Sequence, residues 1–326
     1  MDPPPDTPKT GSATPAGQSL SLGHRGLRRL ARWLFLFVFI PYLAIIVIFA
    51  VRQRSFIYQG TRVELIHVAD SRLPDGRVHD VTVSAHDGLT LHGWHVLPAG
   101  QTTADRDDSH RRLSDAKWLV LAFPGNSGSR IDRGHELRDF VDIGMHVVLF
   151  DYRGYGENPG SPSEESIAAD ARSIWTWATS ERSVPHGRII LFGESLGGGV
   201  ATRLAADLCR DGTPPAALVL NSTYSSLGDA AAWHYPYLPI RPLLLDRYES
   251  EAYIQDVTCP IVVFHGTEDD IVPVEIGRKL FQAAPARSES GIEKLFIEVP
   301  HGGHNDVPRS TLQEALRKLT DAIEIQ

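Results

Sequence analysis

Ser195 lies in the stretch of this chain with the clearest chemical signature. The sequence GESLG, residues 193–197, fits the pattern G-x-S-x-G. The apolar run over residues 189–192 predicts a buried strand before it, and residues 200–209 predict a helix after it. A serine hydroxyl is a poor nucleophile unless it is exposed, aimed at a base and close to backbone N–H donors, and a tight strand-to-helix turn provides that setting. The sequence therefore predicts that Ser195 is a nucleophile.

Carboxylates and histidines that could activate this serine follow two later strands. The apolar runs 261–264 and 294–299 are each followed by a polar loop. These loops carry the candidate acids and bases Glu268, Asp269, Asp270, His301 and His304. A histidine could take the serine proton and return it to a leaving group, while a carboxylate fixes the histidine tautomer. The chain order serine, acid, histidine is the order of one class of acyl-transfer enzyme and differs from the two protease orders.

The elements that would position these residues alternate between strands and helices after residue 117. Strands are predicted over 61–68, 80–86, 89–97, 118–123, 146–150, 188–192, 216–220, 261–264 and 294–299, and helices over 130–143, 164–181, 200–209, 275–283 and 311–325. The second and third strands, joined by an Asp-Gly turn, predict an antiparallel hairpin, and the polar stretch 99–116 predicts an exposed loop. The fold class is therefore α/β, with a mostly parallel central sheet covered by helices on both faces. Ligands of such sheets bind at the carboxyl ends of the strands, where the candidate residues lie.

The N-terminal region has a different composition from the rest of the chain. Residues 1–24 are rich in Pro, Ser, Thr and Gly, which predicts a disordered tail. Residues 25–54 predict a membrane anchor, because the uncharged run 33–51 is long enough to cross a hydrocarbon core of about 30 Å. A signal peptide would have a shorter apolar core, and a buried helix without polar residues is unusual. The catalytic domain is then predicted over 55–326.

Arginines on both sides of this span favour one orientation by a small margin. Arg25, Arg28, Arg29 and Arg32 precede it, and Arg52, Arg54 and Arg62 follow it. The excess on the N-terminal side predicts a single-pass membrane protein with a cytoplasmic tail and an extracytoplasmic catalytic domain.

Charge and cysteine content exclude several classes of function. The net charge of −8 argues against nucleic acid as a partner. Cys209 and Cys259 have no metal-ligand spacing, and two buried thiols are favoured over a single bridge between them. No metal and no organic cofactor is implied.

Five short motifs in chain order give the sequence a family resemblance. They are FPGN (123–126), DYRGYG (151–156), GESLG (193–197), HGTED (265–269) and GGHND (302–306). With them the region 117–306 resembles the α/β-hydrolase superfamily. More narrowly, it is similar to the membrane-anchored α/β-hydrolase-domain group that includes lysophospholipase-like and acylglycerol-lipase-like proteins. The resemblance does not cover residues 1–60.

This resemblance implies a role for individual residues. Ser195 is the expected nucleophile, Asp269 rather than Glu268 or Asp270 the expected acid, and His304 rather than His301 the expected base. The expected oxyanion hole consists of the backbone N–H groups of Asn126 and Leu196. The Leu196 N–H begins a helix, whose dipole favours developing negative charge.

The resemblance also implies a short cap inserted between two strands, at about residues 222–258. Its aromatic residues Trp233, Tyr235 and Tyr237 are candidates for substrate binding. An apolar cap beside an esterase site suggests a small-molecule or lipid acyl ester as substrate. The expected function is a serine esterase or lipase-like hydrolase that cleaves esters or thioesters of apolar acyl groups through a Ser-His-Asp triad and an acyl-enzyme. A serine peptidase of the same fold and a non-catalytic scaffold are the alternatives.

Overall fold

The computed structural model describes Met1 and residues 24–325, except for the side chain of His135. The predicted disordered tail therefore lies almost entirely outside the described residues. The chain divides into two compact units, Met1–Phe49 and Ala50–Gln326.

A long apolar helix accounts for the described part of the first unit and continues into the second. It runs over His24–Ile57 and is long and apolar enough to cross a membrane. It consists of an α-helix His24–Leu34, a π-helical stretch Phe35–Phe39 and an α-helix Ile40–Ile57. The departure from α-geometry comes directly before Pro41, which has no N–H to donate to the preceding turn. The side chains of the apolar run are mostly exposed, as expected for a membrane-spanning helix.

An eight-stranded sheet forms the centre of the second unit. Its strands are β1 (Val78–Ser84), β2 (Thr90–Val96), β3 (Leu119–Phe123), β4 (His146–Phe150), β5 (Ile189–Glu194), β6 (Ala217–Asn221), β7 (Ile261–Gly266) and β8 (Leu295–Val299). Their order is β8-β7-β6-β5-β3-β4-β2-β1. The strands from β3 to β8 are parallel to one another, and β2 is antiparallel to both of its neighbours, β1 and β4. The predicted mostly parallel sheet with an N-terminal hairpin is confirmed.

Helices cover both faces of this sheet because successive strand residues point to opposite sides. Leu119 and Leu121 of β3 pack into one hydrophobic core, and Val120 between them packs into the other. The helices are Arg106–Ser114, Gly134–Val141, Glu164–Thr176, Leu196–Arg210, Leu227–His234, Ile240–Leu243, Ser250–Tyr253, Val274–Ala283 and Arg309–Glu324, with π-helical residues Trp177–Glu181 and 3₁₀ turns at Val68–Ser71, Arg130–Arg133, His186–Arg188 and Ile254–Asp256. Three short helices between β6 and β7 occupy the region where the cap is predicted.

The prediction of a strand over 61–68 is wrong. Residues Val68–Ser71 form a 3₁₀ turn, and the chain before them pairs elsewhere. The two-residue strand Gln59–Gly60 lies parallel to Ser127–Gly128, outside the main sheet. The edge of the main sheet is occupied by β1, and residues 61–68 form no strand of that sheet.

The prediction of a loop over 99–116 is also wrong in part, because this stretch contains the helix Arg106–Ser114. The Asp105 side chain caps its first turn by accepting a 2.8 Å hydrogen bond from the Asp107 N–H. Asp108 and Arg112 pair at i, i+4 with an N–O distance of 2.8 Å. Only Leu113 supplies a large buried apolar side chain, which explains why the hydrophobic pattern gave little sign of a helix.

Candidate active site

Ser195 lies in a sharp turn between β5 and the helix Leu196–Arg210. Its φ of 51° and ψ of −114° are unusual for a residue with a side chain. A Cβ at position 197 would lie 1.9 Å from the Phe123 carbonyl oxygen, and one at position 193 would lie 2.5 Å from the Gly197 carbonyl oxygen. Only glycine fits at both positions, so the spacing of the motif follows from the close approach of backbone segments around the serine.

The backbone of Ser195 is anchored on both sides of its α-carbon. Its N–H donates a 2.9 Å hydrogen bond to the Asn221 carbonyl at the end of β6, and its carbonyl accepts a 2.8 Å hydrogen bond from the Thr223 hydroxyl. Within the described part of the chain, no hydrogen bond joins Ser195 Oγ to the His304 imidazole. The strained turn is therefore fixed by its neighbours, and the imidazole does not hold the hydroxyl.

Asp269 and His304 form a hydrogen-bonded pair at the carboxyl ends of β7 and β8. His304 Nδ1 lies 2.8 Å from Asp269 Oδ2. Asp269 Oδ1 accepts the backbone N–H groups of Ile271 at 2.9 Å and Val272 at 2.8 Å. Burial alone would raise the pKa of the Asp269 carboxyl, but hydrogen bonds from His265 and His304 outweigh it and hold that pKa well below its usual range. The ionised carboxylate can only accept, so His304 Nδ1 donates to it, and in the neutral tautomer of the imidazole this arrangement leaves the lone pair on Nε2.

The competing acid and histidine pair with each other on the surface. His301 Nδ1 lies 2.7 Å from Glu268 Oε1, and their side chains are 86% and 64% exposed. Asp270 is exposed as well. The Asp269 side chain, by contrast, is fully buried and that of His304 is 9% exposed. The structure thus separates a buried acid–histidine pair from an exposed one.

His265 is a neighbour of this pair that the sequence reasoning did not assign. Its Nε2 lies 2.7 Å from the Val272 carbonyl and 3.3 Å from Asp269 Oδ2. The carbonyl can only accept, so Nε2 carries the proton and also faces the Asp269 carboxylate. A Cβ at Gly277 would come within 2.2 Å of the His265 ring, so the ring is packed tightly against the helix Val274–Ala283.

The loop after β3 brings Asn126 to the same edge of the sheet as the serine turn. The Asn126 and Leu196 N–H groups, predicted as the oxyanion hole, have no hydrogen-bond acceptor among the described residues. The hypothetical Cβ of Gly125 would lie 3.8 Å from Ser195 Cβ, so the loop passes close to the serine. Tyr152 fixes the loop by donating a 2.8 Å hydrogen bond to the Pro124 carbonyl.

An ionic cluster beside this loop is a second feature that sequence reasoning missed. Arg133 lies 3.0 Å from Glu136 and 3.2 Å from Glu194, the residue before the serine, and donates a 2.8 Å hydrogen bond to the Ser127 carbonyl. Burial and the nearby charge of Glu194 raise the pKa of Glu136 to about 7, although Arg133 opposes this shift. The cluster links the serine turn to the loop that carries Asn126.

The cap carries an open cleft of about 760 Å³. It is lined by Asp229, Ala232, Trp233, Pro236, Leu238, Pro239, Ile240, Arg241, Pro242, Glu275, Ile276 and Lys279. Of the predicted substrate-binding residues, Trp233 lines the cleft, whereas Tyr235 and Tyr237 do not, and all three are largely exposed. Neither Ser195 nor the Asp269–His304 pair lines it.

Neither a metal cluster nor a disulfide is present among the described residues. No group of three or more His, Cys, Asp or Glu side chains in this part of the chain is arranged to hold a metal ion. Cys209 and Cys259 are free thiols, Cys259 buried and Cys209 half-buried.

Comparison with known proteins gives one consistent result. A model of the α/β-hydrolase fold family matches residues 119–253. An uncharacterized protein of Mycobacterium tuberculosis (strain CDC 1551 / Oshkosh) is 40% identical over 82% of this chain and 88% of its own length. Lysophosphatidylserine lipase ABHD12 of Danio rerio is 30% identical over 87% of this chain and 81% of its own length. The resemblance read from the five motifs is confirmed.

Solved structures agree on the fold. An α/β-hydrolase from Vibrio vulnificus superposes with a TM-score of 0.59 at 19% identity, over 80% of this chain and 87% of that one. An esterase from Pyrococcus furiosus superposes with a TM-score of 0.56 at 16% identity, over 82% of this chain and 98% of that one.

Proposed function

This chain belongs to the α/β-hydrolase family, in the group that contains the ABHD12 lipases, and we propose that it is a membrane-anchored serine hydrolase of carboxylic esters of lipids. Ser195 is the nucleophile, His304 the general base and acid, and Asp269 the residue that orients His304. One observation carries the proposal. The acid–histidine pair with a 2.8 Å hydrogen bond and a serine in a strained strand-to-helix turn follow three strands of one sheet, in the chain order of this family.

In the first half of the reaction, His304 Nε2 takes the proton from Ser195 Oγ as Oγ attacks the ester carbonyl carbon. A bond forms between Oγ and that carbon. The carbonyl oxygen becomes an oxyanion that accepts hydrogen bonds from the N–H groups of Asn126 and Leu196. The carbon–oxygen bond to the leaving alcohol then breaks as His304 returns the proton to that alcohol, which leaves an acyl-enzyme. Water then attacks the acyl carbon as His304 takes its proton, and the bond from that carbon to Ser195 Oγ breaks as His304 gives the proton to Oγ, which releases the acid and restores the serine.

For this cycle, Ser195 Oγ must come within hydrogen-bond reach of His304 Nε2. Rotation about the serine χ1 angle moves the hydroxyl while its backbone stays anchored, and catalytic hydrogen bonds often tighten only when substrate is bound. Asp269 remains ionised throughout and stabilises the imidazolium that forms on His304. The low pKa of its carboxyl fits that role.

The substrate class we propose is a lysophospholipid or another single-chain lipid ester, with lysophosphatidylserine as the first candidate. The names of the ABHD12 relatives and the apolar N-terminal helix support this class. The cap cleft is of a size that accommodates small ligands and offers the Trp233 ring together with the cations Arg241 and Lys279. Both cations also pair with Asp229 at 2.7 Å, so an anionic head group would compete with that carboxylate.

A substrate panel tests this proposal with the detergent-solubilised full chain. The panel contains lysophosphatidylserine, lysophosphatidylcholine and a monoacylglycerol of equal chain length, an acyl thioester and a dipeptidyl amide. We expect ester hydrolysis that disappears in Ser195→Ala. Faster cleavage of the amide than of every ester would favour a serine peptidase. A folded protein that turns over none of the panel and does not react with a serine-directed probe would favour a non-catalytic scaffold.

A further inference from the structure

The chain directly after the apolar run makes an unusual set of contacts with two parts of the candidate site. We call residues 53–60 the neck. All of its contacts described below lie within the unit Ala50–Gln326. The neck is not part of the five motifs.

The C-terminal end of the neck holds the loop that carries Asn126. The Asn126 side-chain amide donates a 2.9 Å hydrogen bond to the Ile57 carbonyl, and the Gln59 N–H donates a 2.9 Å hydrogen bond to the Asn126 carbonyl. Gln59–Gly60 then runs parallel to Ser127–Gly128 as a two-residue ladder. The side chain and the carbonyl of Asn126 are thus held by Ile57, the last residue of the apolar helix, and by Gln59, which follows it.

Tyr155 makes a third contact with Asn126. Its hydroxyl donates a 2.7 Å hydrogen bond to the same Asn126 carbonyl that Gln59 contacts. A Cβ at Gly60 would lie 2.2 Å from the Tyr155 ring, so a side chain at position 60 would displace either the ring or the neck. Glycine at this position lets the tyrosine reach the loop.

The N-terminal end of the neck holds the cap through residues 243–248. The buried Gln53 amide donates to the Leu243 carbonyl at 3.1 Å and accepts from the Leu245 N–H at 2.7 Å. Arg54 pairs with both carboxylate oxygens of the buried Asp246, at 2.8 and 3.1 Å. The cap segment is therefore connected to the last turns of the helix by the two hydrogen bonds of the Gln53 amide and by the Arg54–Asp246 ion pair.

A buried pair of tyrosines connects the neck to the helix that begins after the serine. The Tyr58 hydroxyl lies 3.1 Å from the Tyr248 hydroxyl. A Cβ at Gly199 would lie 2.8 Å from the Tyr248 ring, so this ring packs against the helix that begins after Ser195. Tyr248 adopts a φ of 45°, a strained conformation that its surroundings hold in place.

We propose that the neck is a positioning element of the active site, which sets the oxyanion loop through Ile57 and Gln59 and the cap through Gln53, Arg54 and Tyr58. This proposal rests on the proposed function, because it assigns the neck to the same site. The oxyanion donors must point at a position fixed to a fraction of an ångström, and small displacements of such groups reduce rates strongly. The segment that leaves the apolar helix is thus part of the catalytic framework and more than a tether.

Two variants of the full chain in detergent test whether the neck positions the oxyanion loop. Asn126→Ala keeps the backbone N–H of residue 126 but loses the hydrogen bond to Ile57. Tyr155→Phe loses only the hydroxyl. Gln313→Ala is the matched control, since it removes a 3.0 Å amide-to-carbonyl bond to Asp139 between two other helices. Active serines are counted by titration with a fluorophosphonate, so that kcat refers to correctly folded sites. Deuterium exchange of residues 124–128 is measured in parallel.

We expect Asn126→Ala to lower kcat by about tenfold to a hundredfold with KM changed by less than about threefold. Exchange at residues 124–128 should be faster in Asn126→Ala and Tyr155→Phe, and unchanged in Gln313→Ala. Gln53→Ala should likewise speed exchange over 243–248. Unchanged exchange at 124–128 in both loop variants, or equal losses in the Gln313→Ala control, would overturn the proposal. Deuterium exchange can be measured without catalytic turnover. If the proposed ester hydrolysis fails, the wild type itself is inactive, and this outcome is distinct from a failure of the neck proposal.

Discussion

Replacing Asp269 with Asn perturbs the acid–histidine pair in a way that the local contacts define. Asp269 Oδ1 accepts the backbone N–H groups of Ile271 and Val272, at 2.9 and 2.8 Å. In Asp269→Asn the amide oxygen must stay there, because an NH₂ group cannot accept those donors. The NH₂ group then faces His304 Nδ1 at the 2.8 Å position of the former carboxylate oxygen.

This exchange reverses the tautomer of the histidine. With a donor opposite it, His304 Nδ1 gives up its proton and becomes the acceptor, so Nε2 carries the proton instead and has no lone pair for the Ser195 hydroxyl. The imidazolium also loses its partner charge. In an acyl-transfer triad this change costs about 10⁴ in kcat, or about 5.5 kcal/mol of transition-state stabilisation.

Steady-state hydrolysis of a lysophospholipid ester measures the loss, with thermal unfolding of each variant as the check on folding. Glu268→Gln is the matched control, since Glu268 is the adjacent carboxylate and pairs with an exposed histidine at 2.7 Å. We expect Glu268→Gln to stay within about twofold of the wild type. If folded Asp269→Asn kept more than about a tenth of the wild-type kcat, the tautomer argument would be refuted.

Three further predictions concern the serine turn, the ionic cluster and the cap. Gly197→Ala should abolish turnover, because the new methyl would lie 1.9 Å from the Phe123 carbonyl oxygen; wild-type kcat in this variant would contradict the packing argument. The Glu136 carboxyl has its pKa raised from 4.5 to about 7, so between those pH values the folded chain holds a proton that the unfolded chain releases, and the free energy of unfolding falls as pH rises through this range. Glu136→Gln should therefore raise Tm relative to wild type at pH 8 and leave it nearly unchanged at pH 4.5, and a lower Tm at pH 8 would reverse the assigned sign. Trp233→Ala should raise KM for long-chain esters by about tenfold through loss of buried ring contact, and an unchanged KM would remove the cap cleft from the acyl path.

The parts of the fold that the sequence predicted are those that are determined locally. Residues 189–192 of β5 are uniformly apolar, glycines at 193 and 197 frame the serine turn, and the strands after it show similar short apolar runs. The helix Arg106–Ser114 was missed because capping by Asp105 and ion pairs among its charged side chains, rather than an apolar stripe, define it. Residues 61–68 were predicted to form a strand, but the short ladder in this region joins Gln59–Gly60 to Ser127–Gly128, which is a contact between distant parts of the chain.

The candidate site divides in the same way. Chain order was enough to reach the loops after β7 and β8, and the family motif favoured Asp269 and His304. The physical distinction from Glu268 and His301 is burial and pairing, which become visible only in three dimensions. Arg133 has no sequence signal of its own, because its link to the serine turn runs through Glu194, 61 residues away along the chain. His265 contacts residues close to it in sequence, but the direction in which its ring points is visible only in three dimensions.

Labelling with a fluorophosphonate probe, followed by intact-mass analysis, tests the central claim most directly. The full chain in detergent is compared with Ser195→Ala and His304→Ala. We expect a single adduct in the wild type, none in Ser195→Ala and much slower labelling in His304→Ala, because His304 is the proposed base that activates the serine. A folded wild type without an adduct, or an adduct that persists in Ser195→Ala, would contradict the assignment of Ser195 as the nucleophile.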